Sequence, residues 1–258
     1  MKQNFVPQSS WEFNTLGLYN FTQPGPYQYI FDFLLKYQTS LGGDILEAGT
    51  YRGKTALSLG IFLRQHALPG KVHGFDTFSG FPKYSLNDMP QKFEELLASN
   101  QISTEHYLRI ERLRMIKAEL YKQDFHPGTT SSSGDFSNNS IEPLLAKIDF
   151  LGLDNIQLHI GTFESTMKHQ DAEQLHFSVI FMDCDLYDGY METLNYGWDK
   201  LMPGGIIFLD EYYSLKFPGA RIAVNEFFAD KEDFELLDVA DRKIDDFERW
   251  IVRKLEKA

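Results

Sequence analysis

DILEAGTYRGKTALSLGIFLRQHALPGKVHGFD, residues 44–76, reads as a strand, a glycine-bearing turn, a helix and a second strand. Short apolar runs alternate with longer stretches of helical periodicity from here onward, which is the rhythm of an α/β protein with helices on both faces of a parallel sheet. Seven strands are predicted, at 44–49, 71–76, 156–161, 177–183, 204–210, 234–240 and 249–254. Helices are predicted at 55–67, 140–152, 190–201 and 220–230, with Pro203-Gly204-Gly205 as the turn into the fifth strand. Two regions stand outside the rhythm. Residues 11–43 hold one predicted helix, PYQYIFDFLLKYQ, with Pro26 at a first-turn position, packed ahead of the sheet or over its ligand edge. Residues 79–139 are too long for an ordinary connection, so they read as an insertion of lid or mobile-loop type. Within it, 104–123 is expected to form a solvated helix with its Leu/Ile/Met stripe on the core.

Composition narrows the class of function. The 258 residues carry a net charge of −12, which argues against a nucleic-acid partner, since phosphate backbones are bound by clustered Lys and Arg. With 22 Phe, 13 Tyr and 3 Trp the chain has ample surface to bury, so it is a folding sequence. A single cysteine, Cys184, allows no internal disulfide and no cysteine-based zinc site. Neither a signal-length nor a membrane-length apolar run is present, and the expectation is a soluble, cytoplasmic protein without a membrane partner.

The turn after the first strand is Glu47-Ala48-Gly49-Thr50-Tyr51-Arg52-Gly53-Lys54-Thr55. Glycines there let the backbone approach a ligand, and the following helix offers unpaired N–H groups. Gly53-Lys54-Thr55 looks like the end of a phosphate-binding loop, which would make the protein a phosphotransferase. However, Gly49 and Gly53 enclose three residues where that motif has four. Glu47 at the strand end also opposes a triphosphate and suits a cationic ligand such as S-adenosylmethionine, which carries a sulfonium and an ammonium. The second strand ends at Asp76, the place where open α/β sheets hydrogen-bond a ribose diol, although a lone Asp here also serves as a turn residue.

Asp183-Cys184-Asp185 and Asp210-Glu211 end the fourth and fifth strands. If those strands are parallel neighbours, four carboxylates converge, and hard oxygen ligands at Asp183, Asp210 and Glu211 favour Mg²⁺ or another divalent cation. Asp185 is left over as a general base. The bland alternative is separate solvated loop carboxylates, with Asp185 as a helix cap. Cys184 reads as a core thiol, and His73 and His159 as structural residues inside strands. His126 and His169 lie in or beside loops, where an acceptor-facing role stays open. The aromatic opening (Trp11, Phe13, Tyr19, Phe21, Tyr27 and Tyr29) could line an acceptor pocket, cover a cofactor, pack in the core or join copies in a homo-oligomer.

Together ILEAGTYRGKTA, GFDTFSGFP, GTFESTM, MDCDLYDGYMETLNYGWDKLMPGGIIFLDEY and PGARIAVNEF resemble the class I S-adenosylmethionine-dependent methyltransferases, and within them the macrocin (TylF-type) sugar O-methyltransferases. The resemblance implies a three-layer Rossmann-like sheet of seven strands with helical lid insertions. It implies a methyltransferase domain over 44–258 and an N-terminal segment over 1–43. Cofactor contacts are implied at Glu47, Gly49, Thr50, Tyr51, Thr55, Asp76, Thr77, Phe78, Gly161, Thr162 and Asp183, and less firmly at Ser137. Magnesium ligands are implied at Asp183, Asp210 and Glu211, a base at Asp185, and as acceptor a small molecule with adjacent hydroxyls, a sugar or glycosylated metabolite. Two departures stand out: Glu211 replaces a usual aspartate, and Asp188-Gly189 replaces a usual Ser-Thr. The other readings are a phosphotransferase and a cofactor-binding module that has lost catalysis.

Overall fold

The computed structural model describes residues 5–168 and 175–256. The elements run α1 (Ser10–Leu16), α2 (Gln28–Leu41), β1 (Asp44–Ala48), α3 (Lys54–Gln65), β2 (Val72–Asp76), α4 (Lys92–Ala98), α5 (Thr104–Glu119), α6 (Pro127–Thr130) and α7 (Glu142–Leu151). They continue with β3 (Ile156–Ile160), α8 (Phe163–Thr166), β4 (Phe177–Met182), α9 (Tyr187–Gly197), β5 (Leu201–Leu209), α10 (Pro218–Phe228), β6 (Phe234–Asp238) and β7 (Trp250–Lys254). One seven-stranded sheet results, in the order β3-β2-β1-β4-β5-β7-β6. β7 is antiparallel to both of its neighbours, and the other pairs are parallel.

The central strands are apolar along their length because both faces are covered. Ile45, Val179 and Phe208 face one core, which Phe31, Leu57 and Leu144 complete from α2, α3 and α7. Leu46, Ile180 and Leu209 face the other, beneath Tyr190 of α9 and Val224 of α10. Phe13, Phe21 and Tyr27 from the opening segment belong to the first of these cores. The insertion has a small core of its own, Phe93, Leu96, Ile102 and Ile110, leaning on Ile222 of α10.

The structure corrects several local expectations. Tyr27 is the N-cap of α2, so Pro26 lies two residues before the helix and not in its first turn. Pro203-Gly204-Gly205 sits inside β5, where the register with β4 shifts between Phe177 and Val179 and Gly204 takes a φ of +81°. The Pro-Gly-Gly is a bulge that bends a strand, because glycine alone adopts that φ cheaply. α5 buries only His106 and Ile110, while Leu108, Met115 and Leu120 are exposed, so its apolar stripe is not on the core. Its buried side packs through Ile110 on the insertion core and through His106 on Tyr213 and Phe247. Asp185 caps nothing, since Leu186 is the N-cap of α9.

His73 is buried and hydrogen-bonds both Asp44 (2.9 Å) and His159 (3.1 Å), a structural ladder across β1, β2 and β3. His126 caps α6 through its Nδ1, which accepts from the Gly128 N–H. His169 lies outside the described residues.

Candidate functional site

In this strand order the chain reverses direction between β1 and β4, and ligands of open α/β sheets bind in the crevice that such a reversal opens at the carboxyl ends of the strands. The loops after those two strands touch: a β-carbon on Gly49 would lie 1.8 Å from the Asp183 carbonyl oxygen. Beside the contact opens a cavity of about 330 Å³. Gly49, Tyr51, Asp76, Thr77, Thr162 and Asp183 line it, with Phe81 and Phe136 contributed by the insertion. Of the other residues expected to meet a cofactor, Glu47, Thr50, Thr55 and Phe78 are buried behind this wall. Gly161 forms the turn before Thr162, its N–H donating to the Asp76 carbonyl (2.9 Å). Ser137 is exposed and occupied with Asp135, apart from the cavity.

Asp76 is held rigidly. One carboxylate oxygen accepts the Tyr51 N–H at 2.8 Å and the other the Phe78 N–H at 2.6 Å, and burial raises its pKa despite those bonds. Each oxygen keeps a second lone pair for a ligand hydroxyl. Glu47 is more isolated. Burial, only partly offset by hydrogen bonding, pushes its pKa well up, and its Oε2 has no partner. An orphaned buried carboxylate oxygen is costly by itself and is relieved by a cation. Lys54 does not supply that charge, because its ammonium sits 4.1 Å over the Tyr19 ring. The same placement takes Lys54 away from the role of a phosphate-loop lysine.

The carboxylate cluster adjoins the cavity at Asp183. One oxygen each from Asp183, Asp210 and Glu211 lie within 4.8 Å of one another. Burial and then the charge of Asp210 raise Asp183 to about 7, while burial first and neighbouring carboxylates second hold Asp185 and Glu211 well above the usual range. The donor set fits a divalent cation: oxygen ligands only, closely convergent, and short of positive charge.

Of three further side chains in this cluster, Arg249 and Tyr190 had no counterpart in the sequence reading, and Tyr27 was read only as one of the opening aromatics. Arg249 Nε donates to Asp210 at 2.8 Å, and the Tyr27 hydroxyl donates to the same oxygen at 2.8 Å. The Tyr190 hydroxyl donates to Glu211 at 2.6 Å. β7 pairs with β5 in the register Trp250↔Leu209, which sets residue 249 opposite 210, a pairing that no sequence motif announces. Cys184 is buried in the core against α9, as expected of a packed thiol.

Asp185 occupies an unusual turn. Its φ is +62°, and the Leu186 N–H donates to the Cys184 carbonyl across it at 2.6 Å. A three-residue turn of this kind is strained in a non-glycine residue. The Tyr187 N–H at the start of α9 is capped by Asp88 of the insertion (2.7 Å), whose other oxygen accepts the Ser85 N–H (2.7 Å).

Comparison with known proteins agrees with this architecture. The profile of the macrocin-O-methyltransferase (TylF) family matches residues 121–245. Mycinamicin III 3''-O-methyltransferase of Micromonospora griseorubida is 25% identical over 186 residues, which are 72% of this chain and 60% of that relative. The chain thus spans under two thirds of the relative's length. Among solved structures, the O-methyltransferase NovP superposes with a TM-score of 0.61 at 19% identity, over 89% of this chain and 79% of that one. The calicheamicin methyltransferase CalS11 gives 0.54 at 20% identity, over 98% and 96%. At such identities the likeness is one of fold, and the fold is the Rossmann-like class I methyltransferase sheet.

Proposed function

From a chain with the class I methyltransferase fold and a macrocin-O-methyltransferase family match, we propose an S-adenosylmethionine-dependent O-methyltransferase that acts on one hydroxyl of a vicinal diol, on a sugar or glycosylated small molecule. The observation that carries the reading is the junction of the glycine-loop cavity with three carboxylate oxygens within 4.8 Å of one another. The names of the mycinamicin and NovP relatives support O-methylation, and the former's supports a glycosylated acceptor.

Bound S-adenosylmethionine would supply a methyl group on a sulfonium, and bound Mg²⁺ the Lewis acidity that lowers a hydroxyl's pKa. This chain's residues do the rest. Glu47, with its orphaned oxygen, would neutralise the cofactor's ammonium, and Asp76 would take the ribose diol. Gly49, Tyr51, Thr77 and Thr162 would shape the remaining wall, with Thr50, Thr55, Phe78 and Gly161 supporting it from behind. Asp183, Asp210 and Glu211 would hold the cation, with Arg249 and Tyr27 fixing the outer edge of Asp210. Asp185 would accept the acceptor's proton on a carboxylate oxygen, and the pocket would set nucleophile and methyl carbon in line at near-attack distance.

The test is methyl transfer from labelled S-adenosylmethionine to a panel of glycosides and free sugars. Activity is expected with Mg²⁺, to fall at least about 100-fold in EDTA, and to return on adding Mg²⁺. Absence of S-adenosylmethionine binding by calorimetry would overturn the proposal, and activity untouched by EDTA would remove the metal from it.

A further inference from the structure

A second cavity, of about 430 Å³, lies behind the loop that carries Tyr51. Arg52, Asn138, Asn139, Ser140 and Lys147 line it, together with Pro143 and Leu144 at the start of α7. Its chemistry is opposite to that of the carboxylate site. In a chain of net charge −12, Arg52 and Lys147 face one cavity with no carboxylate in ion-pair contact with either among the described residues. The two cations sense each other: burial, and then the Arg52 charge, hold the Lys147 amine below the ordinary lysine range.

The rest of the lining suits an anion. Asn138 and Asn139 offer side-chain amide donors to it. The nearest acid in sequence, Glu142, folds back on its own N–H and on the Ser140 hydroxyl at the start of α7 and does not line the cavity. Two cations without a carboxylate partner and two amide donors in one concave space favour a tetrahedral oxyanion.

We propose that the Arg52–Lys147 cavity is a binding site for a phosphate group. The site is tied to the main cavity through the backbone. Arg52 donates to the Asn138 carbonyl (3.2 Å), and the Asn139 side-chain amide donates to the carbonyl of Tyr51 (3.1 Å), which lines the main cavity. A phosphate drawing in Arg52 and Asn139 would therefore stiffen both flanks of the glycine loop. It could arrive as a free anion or as the ester of a phosphorylated sugar.

Calorimetric titration of inorganic pyrophosphate in phosphate-free buffer tests the site without reference to methyl transfer, so its result stands apart from the proposed activity. The expected outcome is sub-millimolar binding by the unaltered protein, weakened at least about tenfold in Arg52→Gln and in Lys147→Gln and lost in the double variant, with S-adenosylmethionine affinity within about threefold. A parallel titration with a hexose 1-phosphate separates the sources: tighter binding than pyrophosphate identifies the ester, and weaker binding the free anion. No pyrophosphate binding, or binding retained in the double variant, would overturn the proposal.

Discussion

A side chain at Gly49 has no space, because its β-carbon would lie 1.8 Å from the Asp183 carbonyl, and its φ of +92° is one that other residues adopt only with strain. Gly49→Ala is therefore expected to lower stability by at least about 2 kcal/mol and to weaken S-adenosylmethionine binding, read by urea denaturation and calorimetry. Asp185 shows the opposite balance. It is a buried carboxylate beside like charges, in a left-handed turn that asparagine also tolerates. Asp185→Asn should raise the melting temperature in EDTA while lowering turnover by about 100-fold, a variant more stable and less active than its parent. The strand-end carboxylates were legible because each follows an apolar run that marks the end of a buried strand. Their partners were not, since Arg249 reaches Asp210 across 39 residues and Tyr27 across 183. Only the sheet's antiparallel edge and the packing of α2 bring them together.

Among the elements, α9 depends on a cap it does not encode. Leu186 has no side-chain acceptor, and Asp88 supplies one from the insertion. Asp88→Ala should cost about 1–2 kcal/mol by urea denaturation, since it leaves the Tyr187 and Ser85 N–H groups without their acceptor. The ladder from β1 to β3 gives a pH signature. Burial, and next the charge of His73, lower the His159 pKa to about 4 from an ordinary 6.5. Between these values the unfolded chain binds a proton that the folded chain refuses, so this contribution is complete above about pH 6.5 and is lost as pH falls toward 4. His159→Gln should flatten the fall in melting temperature over that window relative to the parent. Strand positions were readable from apolar runs that both faces of the sheet require. The Pro-Gly-Gly bulge and the exposed stripe of α5 were not, because a turn and a bulge use the same residues, and a helical apolar pattern does not say whether a partner covers it.

At the scale of the whole molecule, the opening segment and the insertion are built in differently. Phe13, Phe21 and Tyr27 of the opening segment share a core with the sheet while Trp11 is exposed, and Tyr27 reaches the carboxylates from that core. The insertion keeps its own small core and meets the site through Phe81, Phe136 and Asp88. Sequence alone marked both as departures from the sheet's rhythm, but not which would be fused to it, because that depends on shape complementarity between distant residues.

The placing of β7 between β5 and β6 bears on the order in which the protein can be born. Synthesis delivers β1 to β6 first, and until residues 249–254 emerge β5 shows a bare edge with Asp210 lacking its arginine. A nascent chain at that stage resembles an unclosed zip, able to catch on a neighbour's strand as readily as on its own. The segment that covers the β5 edge also brings the counter-charge to the site, so completing the site and covering that edge are a single event.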